Sequence, residues 1–114
     1  MEFDDISEFT SETSAGTIKI RFMTLTNGIL VLISDSDKFR LGLSAMAIPA
    51  GTGSSEPTSI GFFTSDVDSM LVRTLAERIA LWTNQTCMLV VGMSSLTREG
   101  MLELMSVLKG HLLT

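Results

Sequence analysis

Few side chains in this 114-residue chain could do chemistry, and their spacing limits what each could do. Two acidic pairs, Asp35-x-Asp37 and Asp66-x-Asp68, carry the donors that hold Mg²⁺ or serve acid–base work. Neither has a third ligand close by. The first lies in Asp35-Ser36-Asp37-Lys38, a turn composition, and the second follows Thr64-Ser65, where carboxylates suit a helix N-terminus. Structural roles are therefore expected for both pairs. His111 is the single histidine, close to the end of an amphipathic segment, and it reads as a surface cation at a helix C-terminus rather than a catalytic base. Cys87 is the single cysteine, sits in an apolar run, and reads as a small buried hydrophobe. The chain has no C-x-x-C or H-x-x-x-H spacing, so no metal site is expected. Gly51-Thr52-Gly53 lacks both the third glycine of a dinucleotide loop and the lysine of a P-loop. No catalytic, cofactor-binding or metal-ligating residue is assigned, no cofactor is expected, and the chain does not read as an enzyme.

Composition narrows the partners. Thirteen acids against eight bases give a net charge of −5. Glu2, Asp4, Asp5, Glu8 and Glu12 all precede the first base, Lys19, so the excess lies in the N-terminal segment. Without a basic stripe to neutralise phosphates, nucleic acid is not an expected partner. No run of about eighteen apolar residues could cross a bilayer, so no membrane is expected either. The acidic start lacks the basic region of a signal peptide, and the expected compartment is the cytoplasm, with the nucleus second. One domain over residues 1–114 is expected, its first sixteen residues acidic and partly ordered.

The elements that must position everything else are legible as periods. Ile6–Thr13 reads as a weak edge strand. Thr17–Thr26 alternates, with Ile18, Ile20 and Phe22 on one face and Lys19 and Arg21 on the other. Asn27-Gly28 then predicts a hairpin turn, since both residues tolerate positive φ. Ile29–Ser34 is apolar at nearly every position, and a further strand is expected over Arg40–Ile48. Pro49–Pro57 is loop, Ser59–Phe63 a short strand, and Thr64 or Ser65 caps a helix with Val67, Leu71, Leu75, Ile79 and Trp82 inward. That helix stops at Thr83-Asn84-Gln85, and Thr86–Met93 follows as a strand apolar on both faces. Thr97 caps a last helix that turns Met101, Leu104, Met105, Leu108 and Leu112 inward, with Arg98, Glu103 and Lys109 outward.

The order β-β-β-β-β-α-β-α predicts an α+β fold: about six mostly antiparallel strands with two helices on one sheet face. Two strands have too much apolar surface for that arrangement. Ile29, Val31 and Ile33 oppose Leu30 and Leu32, while Cys87, Leu89, Val91 and Met93 oppose Met88 and Val90. Burying one such side chain is worth roughly 1.5–3 kcal/mol. A hydrophobic content of 45% and a mean hydropathy of +0.37 point the same way. The expected solution is a dimer that packs the second sheet face against a partner, with Leu30, Leu32, Met88 and Val90 as the first candidates for that interface.

One stretch carries a family resemblance. Leu75-Ala76-Glu77-Arg78-Ile79-Ala80-Leu81-Trp82-Thr83-Asn84-Gln85, followed by an apolar strand and a final helix, resembles the proteasome assembly chaperone 4 family. Met23-Thr24-Leu25-Thr26 leading through a turn into Ile29–Ile33, the strand Leu43-Ser44-Ala45-Met46, and Ser59-Ile60-Gly61 ahead of Thr64-Ser65-Asp66 are similar as well. The likeness spans roughly residues 17–108, and the related chaperone 3 family shares the fold. The resemblance implies a non-enzymatic chaperone paired with a chaperone-3-like subunit, or with itself in isolation, sheet against sheet. It further implies binding of alpha-type subunits, notably alpha-5, during assembly of the 20S proteasome alpha ring. A roadblock- or profilin-like dimeric scaffold, and a small metal- or nucleotide-binding subunit using Asp35, Asp37 and the Pro49–Pro57 loop, are the alternatives from other classes.

Overall fold

The computed structural model describes residues 6–14, 16–50, 58–62, 67–93 and 97–113, with backbone alone for 58, 60–62 and 67–69. Strong alternation makes the first half of this chain strand. β1 (Ile6–Thr13), β2 (Gly16–Leu25) and β3 (Gly28–Ser34) form an antiparallel meander, and β4 (Leu43–Ile48) and β5 (Thr58–Phe62) a second antiparallel pair. Helix α1 (Val67–Thr83), strand β6 (Cys87–Gly92) and helix α2 (Arg98–Leu112) complete the chain. β6 joins the two groups, lying parallel to β3 and antiparallel to β4, so the six-stranded sheet runs β1-β2-β3-β6-β4-β5. β6 is central, so both its edges are paired, and Cys87, Leu89, Val90 and Val91 are buried in it.

Sheet parity is now fixed. Ile18, Ile20 and Phe22 of β2, Ile29, Val31 and Ile33 of β3, Ala45 and Ala47 of β4, and Cys87, Leu89 and Val91 of β6 form one buried cluster with both helices. From α1 come Val72, Leu75, Ala76, Ile79 and Ala80, and from α2 Met101, Leu104 and Leu108. Leu71, Trp82, Met105 and Leu112 pack half-buried at its margin. The stripe expected along α1 is therefore shifted. Ala76 and Ala80 are fully buried in the cluster, and Trp82 is displaced to its border. The side chain of Val67 lies outside the described residues.

Three local expectations are corrected. The β2–β3 turn pairs Leu25 with Gly28 and so is made by Thr26-Asn27, and neither Asn27 nor Gly28 has positive φ. Gly28 is required for space: a Cβ there would stand 2.5 Å from the Thr86 carbonyl oxygen, which accepts the Ile29 N–H at 2.8 Å. β4 starts at Leu43, and Leu41, expected within that strand, is 87% exposed. Glu103, expected in solvent, accepts from Ser14 N–H at 3.2 Å and Ser14 Oγ at 2.9 Å, tying the β1–β2 turn to α2.

Two helix signals behave as anticipated. Asn84 takes φ 53°, the left-handed conformation that ends α1 and that asparagine tolerates better than most residues. Thr97 Oγ1 accepts the Gly100 N–H at 2.9 Å at the start of α2. The α1 cap at Thr64 or Ser65 and the Gly51-Thr52-Gly53 segment lie outside the described residues, as does the side chain of Asp68.

Candidate functional site

With parity fixed, the face opposite the helices can be read across the strands. Met23 lies opposite Leu30, Leu30 opposite Met88, and Met88 opposite Met46, one apolar row across β2, β3, β6 and β4. The next row is Glu8, Arg21, Leu32, Val90 and Ser44. Leu30, Leu32, Met88 and Val90 thus sit side by side in the middle of this face. None of them belongs to the core cluster on the helix side.

The face is graded along the strands. Leu25 and Ile48 share its parity and lie at one end, 50% and 53% exposed. At the other end Val90 is only 5% exposed, although no helix covers it. There the segment after β3 folds back over the sheet. The Arg21 guanidinium lies 4.6 Å from the centre of the Phe39 ring, and Lys19 Nζ donates to the Asp37 carbonyl at 3.1 Å. Glu8 completes this end, with Arg21 Nη2 at 2.6 Å and Lys19 Nζ at 3.8 Å from its carboxylate oxygens. Ser34, fully buried, anchors the segment by donating to the Lys38 carbonyl at 2.9 Å and accepting the Ser36 N–H at 3.1 Å. The result is a bare apolar end (Met23, Leu25, Leu30, Met46, Ile48, Met88) and a partly roofed, charged end. Sequence reasoning missed Met23, Leu25, Met46 and Ile48, whose shared parity becomes visible only once the strand order is known. It also missed the Phe39 roof, for which the sequence holds no periodic signal.

Residues considered for chemistry occupy structural positions. Asp35 lies 3.7 Å from Arg40 Nη2, and Asp37 contributes its backbone carbonyl to Lys19. Among the described residues no group of three or more His, Cys, Asp or Glu could hold a metal ion. Cys87 is fully buried, and burial pushes its thiol from 9.0 up to about 12. His111 is exposed near the α2 C-terminus, as a surface histidine is expected to be, and its ring also stacks on Phe9 at 4.4 Å and on Phe22 at 5.2 Å between centroids.

These features define a class: an α+β sheet with one face closed by two helices and the other apolar and open among the described residues. No family model matches the chain, and no curated protein matches it. Among solved structures, a chain from a crystal structure of a chaperone complex for yeast 20S proteasome assembly is similar at TM-score 0.63 with 17% identity. The likeness covers 95% of this chain and 93% of that one. The two share a fold. The expected α+β architecture, with six strands, mostly antiparallel pairing and two helices on one face, is the one observed.

Proposed function

We propose that this chain is a non-enzymatic chaperone of 20S proteasome assembly that works in a pair, joined through the helix-free sheet face. The observation that carries the proposal is the unbroken row Met23–Leu30–Met88–Met46, an apolar band four strands wide with no element of this chain above it among the described residues. Two sheets stacked about 10 Å apart would bury that band from both sides. The fold shared with a chain of a proteasome-assembly chaperone complex supports the functional class. The Leu75–Gln85 signature supports the finer assignment to chaperone 4, with a chaperone-3-like subunit as partner and alpha-type subunits, notably alpha-5, as clients. Such a chaperone works by surface complementarity and consumes no cofactor. The proposed setting is the cytoplasm, with the nucleus second.

Co-expression with each alpha-type subunit, with and without a chaperone-3-like partner, tests the assignment. Retention of alpha-5 on the affinity-purified pair is the expected result. Failure to retain any alpha-type subunit under either condition overturns the chaperone assignment, and a stable pair without clients would instead define a roadblock- or profilin-like scaffold.

A further inference from the structure

The helix side of the molecule carries a second surface with different chemistry. α1 and α2 pack against each other and leave an outward groove of about 350 Å³ lined by Arg78, Trp82, Leu102, Met105, Ser106 and Lys109. Its floor is apolar. Trp82 and Met105 rest half-buried against the core, and Leu102 is 52% exposed. Arg78 on α1 and Lys109 on α2 are exposed at its borders, and no carboxylate among the described residues pairs with either. The nearest acids of the two helices are engaged elsewhere, Glu77 with Ser59 and Glu103 with Ser14. In a chain of net charge −5, two unpaired cations flanking an apolar floor are a local reversal of sign.

We propose that this groove binds an acidic, apolar peptide segment of a partner protein. One or two Leu- or Phe-sized side chains would lie on Trp82, Leu102 and Met105, with flanking carboxylates meeting Arg78 and Lys109. The volume suits such side chains, and carboxylates offer what the borders lack. This surface lies on the helix side, so it can be filled while the sheet face is paired, and its test does not depend on pairing.

Trp82 is the only tryptophan of the chain, so its emission reports the groove directly. The probe is a ten-residue peptide of Asp, Glu, Leu and Phe. A control keeps the apolar residues and replaces every acid with Lys. The expected result is a saturable emission shift with the acidic peptide alone, weakened at least about tenfold in Arg78→Glu/Lys109→Glu and by added salt. Leu30→Asp, on the other side of the sheet, should leave the titration unchanged. No saturable change up to ~1 mM, the weak limit of specific binding, overturns the proposal. An equal response to the Lys control, or an unaltered titration in the double charge reversal, overturns it as well. Loss of the response in Leu30→Asp would relocate the peptide to the sheet face and also overturn it.

Discussion

At the residue scale, Cys87 shows how position rather than type decides chemistry. A thiol at its ordinary value of 9.0 is partly ionised in mild alkali, but here burial alone raises it to about 12, and the folded chain keeps it neutral. The linkage follows. Between those two values the unfolded thiol has lost its proton while the folded one retains it, so the unfolded state gains. Stability is undiminished below pH 9 and falls as pH rises from there toward 12. Urea midpoints measured at pH 8 and pH 10.5 should therefore separate more for the native chain than for Cys87→Ala. Equal separations would mean the thiol is not held neutral. This burial was legible because Cys87 opens an apolar run. The role of Gly28 was not. Asn27-Gly28 matches a turn dipeptide, yet the glycine is needed because the entry to β6 brings the Thr86 carbonyl against it, a contact 58 residues away that no local pattern encodes. His111 is similar: only the return of β1 alongside α2 places Phe9 and Phe22 under its ring.

Among the elements, α2 gives the cleanest case of a boundary written in sequence. Thr97 stands before an amphipathic run, and its hydroxyl does accept the Gly100 N–H. Thr97→Ala should cost about 1 kcal/mol in denaturant unfolding, with Thr97→Ser close to native. A native-like Thr97→Ala midpoint would show that packing of Met101, Leu104 and Leu108 holds the first turn without the cap. Strands were legible for a related reason, since period two in β2 and two-faced apolarity in β3 and β6 are direct signatures of burial. Which parity meets the helices was not. Both faces of β3 and β6 are apolar, so either register buries a comparable area, and only the packing of α1 and α2 against Val31 and Leu89 breaks the tie. Ala76 and Ala80 carry little signal in an apolar stripe because their side chains are small, yet both are fully buried in the core.

The whole molecule is asymmetric across its sheet. Two helices close one side, and the other ends in six apolar side chains; among the described residues the roof over this face, Phe39 and its segment, stands at the charged end over Arg21. A partner sheet would therefore seat toward Leu25, Met46 and Ile48, beyond the end already covered. Leu30 lies at the centre of that area, opposite Met23 on one side and Met88 on the other. A carboxylate at position 30 is tolerated in a free chain, where water reaches it, and is costly in a pair, where it is buried without a partner. A penalty of a few kcal/mol corresponds to a loss of about 100-fold or more in affinity. Sedimentation of the native chain and of Leu30→Asp, each alone and mixed with a chaperone-3-like subunit, measures this directly. A native chain in a stable pair and a folded Leu30→Asp at the 12.4 kDa monomer mass are the predicted results. A native chain that stays monomeric in both settings, or a Leu30→Asp variant that pairs as tightly as the native one, would contradict the assignment of the open sheet face as the interface.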